Sequence, residues 1–301
     1  MKKDELLAGL AANGYVANDR IAFTILNAMQ LGVPILLEGE PGVGKTALAK
    51  ALAGALDMEM LRVQFYEGVA NRDIMYEYDY ARQMLTTVAL QKTIENASLG
   101  LSIGDTQKLI KDQVNIYDES FLIERPLLRA INGKGRKVLL LDEIDKTSEE
   151  TEYALLELLS DFSMSIPELM KTVTCPPDQI PIVFLTSNNT RELSDALRRR
   201  CLYLYMPDKT LKELTNIIRM KAEVPESFAE NVAETIQEIR KLDLKQKPSV
   251  SEGISWAKVI YSQFGDCIPE KSELCDSVGV IAKNQGDCET IIGFLSGEDD
   301  E

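Results

Sequence analysis

The stretch GVPILLEGEPGVGKTALAKALAGAL, residues 32–56, decides the fold. Val33 to Leu37 is a short apolar run of buried-strand type, bounded by Gly32-Val33-Pro34 and by Gly39. Beyond the glycines, Ala47, Leu48, Ala51, Leu52, Ala55 and Leu56 recur at the spacing of one helix face. Between strand and helix lies G-x-x-x-x-G-K-[ST], filled by Gly39, Gly44, Lys45 and Thr46. Gly42 and Gly44 carry no side chains, so backbone N–H groups can point at phosphate oxygens. The following helix presents its positive end to the same anion. Lys45 supplies an ammonium for the β and γ phosphates, and the Thr46 hydroxyl can ligate magnesium. A glycine-rich turn without a ligand is the bland alternative, and the flanking strand and helix weigh against it. Gly39, Glu40, Pro41, Gly42, Val43, Gly44, Lys45, Thr46 and Ala47 are the expected phosphate cradle.

A strand, a glycine loop and a helix open a βαβ unit, and the chain continues in that style. Residues 4–12 and 18–31 read as helices before it. Leu61 to Phe65, Val138 to Leu141, Ile182 to Leu185 and Leu202 to Met206 read as further strands. Phe121 to Ile131 has amphipathic helical spacing, and Thr147-x-x-Glu150 reads as a capping box. Residues 163–180 suggest a hairpin, and Arg191 to Arg199 a short helix. Gly104 to Asn115 is too weakly patterned to assign. Strands alternating with helices predict an α/β fold, a parallel five-stranded sheet flanked by helices. After Pro207 the pattern becomes wholly helical, with breaks near Pro225, Pro248 and Pro269. The expected division is an α/β domain over 1–207, a small all-α domain over 208–296 and an acidic tail over 297–301.

Composition narrows the chemistry. The chain of 301 residues is 45% hydrophobic, enough for a sizeable core. Its formal net charge of −15 argues against nucleic acid and anionic membranes as partners. There is no histidine, which removes His triads, His proton shuttles and His-ligated metals. Five cysteines with no CxxC spacing read as reduced thiols, and no apolar run is long enough for a signal peptide or a membrane span. A cytoplasmic setting without membrane insertion is expected.

Three further motifs carry candidate chemistry. The strand VLLLDEID delivers Asp142 to its carboxyl end, where it can hold magnesium. Glu143 points elsewhere and can polarise a water for attack on the γ-phosphate. Asn188 closes the strand PIVFLTSN and can orient that water; a helix cap or turn is its bland reading. Arg198-Arg199-Arg200 offsets a helix dipole, or supplies an arginine to a neighbouring subunit's phosphate.

Taken in order, GEPGVGKT, LLLDEID, FLTSN and ALRRRC followed by a helical segment resemble the AAA+ ATPases, a P-loop NTPase family. The segments LLEGEPGVGKTALAKALA, QFYEGV, FLIERPLL, LELLSDFSMSIPE and LTSNNTRELSDALRRRCLYL resemble the MoxR family, in its CoxD-like branch, over roughly residues 10–260. The resemblance implies ATP hydrolysis to ADP and phosphate with Mg2+. It implies Glu143 as catalytic base, Asn188 as sensor, Lys45 on the phosphates and Asp142 with Thr46 at the metal. Arg200 becomes the arginine finger, with Arg199 as the alternative. Tyr15 and Val16 match the segment that covers adenine. Asn71 to Leu85 matches an insertion, placed near 71–95, and 163–180 a second one; both would face a ring pore or a client. Half-burial in a hairpin is the equal alternative for Tyr76, Tyr78 and Tyr80.

The implied assembly is a homo-oligomer, expected to be a hexamer. It would work with a von Willebrand factor A domain protein on a metalloenzyme client, such as a carbon monoxide dehydrogenase-type molybdenum enzyme. One departure stands out. Relatives carry a sensor arginine in a Pro-Arg pair of the lid, where this chain has KPSVSEGISW with Ser251-Glu252. That favours an ATP-gated interaction subunit with little turnover as the competing reading. A P-loop kinase ranks behind both.

Overall fold

The structure, a computed structural model, describes residues 1–69, 71–97 and 118–297. The Gly104–Asn115 stretch and residues 298–301 of the acidic end lie outside the described residues. Nine strands are present among these: β1 (Ile35–Glu38), β2 (Met60–Gln64), β3 (Tyr76–Tyr78), β4 (Leu122–Glu124), β5 (Val138–Asp142), β6 (Ser163–Ile166), β7 (Lys171–Thr174), β8 (Ile182–Ser187) and β9 (Leu202–Tyr205).

Five of them form one parallel sheet in the order β2-β5-β8-β1-β9. The three inner strands are buried along their whole length. That is the pattern of strands covered on both faces. Alternate residues serve opposite faces, as a period of two requires. Leu36, Leu139, Leu141, Val183 and Leu185 join one apolar cluster with Leu128 and Ile131 of the helix Pro126–Asn132 and Leu155 and Leu159 of the helix Glu149–Asp161. Ile35, Leu37, Val138, Leu140, Ile182 and Phe184 join the other, with Leu48 and Leu52 of the helix Lys45–Ala55 and Ile21 and Ile25 of the helix Asp19–Leu31. The fold class is therefore the expected one. The chain crosses the sheet from β1 to β2 and later returns to β8 beside β1. Carboxyl ends near such a crossover are where α/β sheets bind ligands.

Three local expectations need correction. Phe121–Ile131 is not one helix: β4 pairs antiparallel with β3, Tyr78 opposite Leu122, and the helix begins only at Pro126. Proline disfavours helical backbone in the residue before it, and Arg125 is accordingly extended at ψ 167°. The helix after DEID is capped by Ser148, which accepts from the Thr151 amide, and not by Thr147. The Thr147 amide closes the preceding tight turn by donating to the Ile144 carbonyl, so the helix starts one residue later. The expected helix Arg191–Arg199 shrinks to Asp195–Arg198. Its first residues are instead tied to Glu152, which is fully buried and accepts from Arg191 and from the Ser194 amide.

The hairpin within 163–180 is present as β6 and β7, with Met170 at its tip at φ +48°. Of the three tyrosines, Tyr78 is buried, Tyr76 half-buried and Tyr80 exposed, so the segment divides between the two readings.

The C-terminal region is helical: Leu211–Ala222, Glu226–Ile239, Val250–Phe264 and Gln285–Ser296, with a 3-10 segment Lys271–Val280. Capping boxes Thr210/Glu213 and Ser249/Glu252 start two of these helices. They enclose their own apolar cluster around Trp256, whose ring nitrogen donates to Ser277 Oγ at 2.7 Å. No described helix is long and apolar enough to cross a membrane.

Candidate nucleotide site

β1 ends at Glu38, and the chain turns through Gly39–Gly44 into the helix Lys45–Ala55. Gly42 and Gly44 hold φ +82° and +100°, left-handed backbone that only glycine adopts cheaply. Gly42 also has no room for a side chain, because a Cβ there would sit 2.4 Å from Ser249 Cβ. The loop is thus closed against Ser249, the N-cap residue of the helix Val250–Phe264.

The loop borders two adjoining cavities. One, of about 410 Å3, is lined by Gly44, Lys45, Thr46, Asp142, Glu143 and Asn188 among others. The second, of about 710 Å3, lies between Glu40–Val43 and the C-terminal residues 244–252. Both fall in the roughly 300–1,000 Å3 range of small-molecule sites. Ser251 lines both, so the Ser251-Glu252 stretch singled out in the sequence does reach the cleft.

Lys45 is buried, and its Nζ donates to the Gly39 carbonyl at 2.6 Å, the Glu40 carbonyl at 3.0 Å and Asn188 Oδ1 at 2.7 Å. Burial lowers its pKa from the ordinary 10.5, opposed by the charges of Asp145 and Asp142. Thr46 Oγ1 lies 3.2 Å from both oxygens of Asp142. A hydroxyl beside a buried carboxylate, at the mouth of a phosphate loop, suits a hard ion held mainly by phosphate oxygens. Among the described residues no group of three or more acidic or thiol side chains could hold a metal alone. The donor set thus fits Mg2+ brought in on a nucleotide, where it would neutralise phosphate charge.

Glu143 follows Asp142 at φ +59°, left-handed backbone, and lines the same cavity. Its carboxylate meets Lys146 Nζ at 2.6 Å, while its amide donates to Thr186 Oγ1 at 2.8 Å. That contact raises the Lys146 pKa above the ordinary value.

The other predicted residues are placed less centrally. Tyr15 is buried against Gly44, with its hydroxyl unpartnered, and burial pushes that hydroxyl's pKa up. Val16 is half-buried and lines neither cavity. Arg200 is exposed; it donates to Ser160 Oγ at 2.5 Å and to the Ala196 carbonyl at 2.9 Å of its own chain. Arg199 is also exposed. Arg198 turns inward instead and pairs with Glu38 at 3.5 Å.

Sequence reasoning missed three contributors. Asp145 ends the DEID motif and looks like a solvated acid, yet it is buried and accepts from the Asn188 amide, the Thr190 amide and the Thr190 hydroxyl. Thr186 is buried and donates to Asp142 Oδ1. Arg62 on β2 pairs with Asp142 Oδ2 through Nη2 at 2.6 Å and Nε at 3.0 Å. The period-two alternation of β2 put Arg62 on the same face as Gln64, which is registered opposite Asp142. That signal exists only once the pairing register is known.

The model of the AAA domain, dynein-related subfamily, matches residues 34–201, more than half of the chain. The chain belongs to that subfamily. The chain is 26% identical over 214 residues to Replication factor C subunit 3 of Arabidopsis thaliana, covering 66% of the chain and 52% of that protein. It is 29% identical over 209 residues to the Lon protease of Fusobacterium nucleatum, covering 66% of the chain and 22% of that protein. The match therefore spans about half of one relative and about a fifth of the other. Among solved structures, the Thermotoga maritima RuvB Holliday junction branch migration motor is similar at 17% identity and TM-score 0.43, over 91% of this chain and 67% of that one.

Proposed function

We propose that the chain is a Mg-ATP-dependent ATPase of the MoxR type, CoxD-like branch. It acts as a ring-forming chaperone, expected to be a hexamer, that remodels a partner protein. The observation that carries the enzymatic reading is the convergence of Lys45, Thr46, Asp142, Glu143 and Asn188 on one cavity beside the glycine loop. Lys45 meets the phosphates, Thr46 and Asp142 hold Mg2+, Glu143 activates water and Asn188 orients it. Tyr15, packed against Gly44, would lie beside the base, with Val16, which lines neither cavity, next to it in the chain. Residues 208–296 act as a lid over the domain 1–207, and the Gly42–Ser249 contact supports their cooperation. Arg200, or Arg199, serves the neighbouring subunit; both are on the surface, as a residue acting in trans must be.

The MoxR resemblance supplies the biology of this reading. The partner is a von Willebrand factor A domain protein in the cytoplasm. The client is a metalloenzyme of the carbon monoxide dehydrogenase type that receives its metal cofactor. The net charge of −15 supports protein partners over nucleic acid.

A second reading is an ATP-gated interaction subunit with little turnover. It is favoured by the Glu143–Lys146 ion pair, which occupies the base, and by Ser251 in place of a lid arginine.

The deciding experiment is ATP turnover per subunit against protein concentration, with Glu143→Gln as control. A rate rising steeply with concentration and absent in the control supports the assembled ATPase. Bound ATP with negligible turnover at every concentration supports the second reading. In the first case Arg200→Ala should keep nucleotide binding and stop turnover; unchanged turnover would return the arginine run to a helix-end role.

A further inference from the structure

We propose that Arg62 is the resident counter-cation of Asp142, and that its contact and magnesium binding exclude one another. Arg62 thereby sets how much Mg2+ the nucleotide site needs. This deepens the proposed ATPase reading and rests on Asp142 being the metal carboxylate.

The argument begins with strand register. β2 and β5 run parallel, with Gln64 opposite Asp142. Side chains two residues apart share a face, so Arg62 and Gln64 flank the same carboxylate. The guanidinium puts Nη2 at 2.6 Å and Nε at 3.0 Å from Asp142 Oδ2, and Nη2 also donates to Gln64 Oε1. The opposite oxygen, Oδ1, accepts from Thr186, and Thr46 lies 3.2 Å from both oxygens. A carboxylate offers about four lone-pair sites, and these donors take them up. An ion arriving at Asp142 must therefore displace a donor.

Which donor yields follows from charge and burial. Thr186 is buried within β8, and Thr46 is fixed in the first turn of its helix. Both are neutral hydroxyls and tolerate a cation nearby. Arg62 carries a full positive charge that it cannot shed by deprotonation. Its side chain is 51% exposed, against 5% for Asp142. The guanidinium can move into water at small cost, whereas the carboxylate is held by the sheet. Gln64 offers it a hydrogen-bond partner beside the site. The cation that leaves is Arg62.

The test uses the full chain and a fluorescent ATP analogue, with affinity measured in EDTA and across a Mg2+ titration. The wild type is compared with Arg62→Gln, which keeps a donor without the charge, and Arg62→Lys, which keeps the charge. Removing the competing charge should raise the ratio of affinities with and without Mg2+ about tenfold in Arg62→Gln, and leave it within about twofold in Arg62→Lys. A ratio unchanged or lowered in Arg62→Gln overturns the proposal, since Arg62 would then support the metal-bound carboxylate. Should Arg62→Gln fail to fold, the wild type still decides. The Arg62 Nε–H resonance, assigned by its loss in Arg62→Lys, should shift with analogue plus Mg2+ and stay put with analogue plus EDTA; the same signal in both overturns exclusion. Absence of analogue binding by the wild type in both conditions would instead overturn the phosphate-loop reading itself.

Discussion

Replacing Asp145 by alanine should destabilise the α/β region by about 3–5 kcal/mol, because three charge-assisted hydrogen bonds end on one buried oxygen. That oxygen, Oδ2, accepts from the Asn188 amide at 3.1 Å, the Thr190 amide at 3.0 Å and the Thr190 hydroxyl at 2.7 Å. Hydrogen bonds to an ionised group contribute about 1.5–3 kcal/mol each, but three on one oxygen are not additive, so the sum is capped near the value for breaking a buried charge contact. Asp145→Asn keeps an acceptor at that place and loses only the charge, so it should cost about 1–2 kcal/mol. The loss bears on function as well, since Asn188 is aimed at Lys45 by this anchor. The assay is urea unfolding followed by far-UV circular dichroism, paired with nucleotide affinity. A midpoint change equivalent to less than about 1 kcal/mol in Asp145→Ala, at unchanged slope, would refute the reasoning.

Other consequences follow from single contacts. Gly42→Ala would force a side chain into left-handed backbone and against Ser249; it should cost about 1–2 kcal/mol and weaken nucleotide binding, measured by thermal melts and analogue titration. Lys45 has a folded pKa below its unfolded 10.5, so the unfolded chain holds more protons in that window and empty-site stability should rise as pH climbs through it. Phosphate oxygens would raise the same pKa, so nucleotide binding should take up protons and weaken with rising pH there. Calorimetry in two buffers of different ionisation enthalpy checks this, and proton release would contradict it. Among the thiols, Cys267 is exposed, Cys175 is buried, and burial pushes Cys201 up to about 12. Maleimide at neutral pH should label Cys267 first and spare Cys175 and Cys201 until denaturant is added, which mass spectrometry of the digest would show.

How much was legible in the chain depended on how local each cause was. The glycine loop, its strand and its helix were readable because their signals are contiguous: an apolar run, glycines needing positive φ, then a 3.6-residue period. The all-helical C-terminal region announced itself by helical periodicity and proline breaks. Where a contact from elsewhere overrode the local pattern, the reading failed. Residues 122–124 satisfied a helical spacing but were claimed by β3 as a partner strand. Arg191–Ser194 could have begun a helix but were claimed by the buried carboxylate of Glu152.

The site divides along the same line. Sequence alone singled out the residues proposed to meet phosphate and magnesium, because Gly39–Thr46 and Asp142–Glu143 carry their signals within a few neighbouring positions. It also excluded histidine chemistry outright, since composition needs no fold. Only the tertiary structure decided what surrounds them. Parallel pairing of β2 with β5 brings Arg62 onto Asp142 across 80 residues of chain. The packing of DEID beneath β8 turns Asp145 from a surface acid into the anchor of Asn188. Strand register and burial are properties of the whole sheet, and no window of sequence contains them.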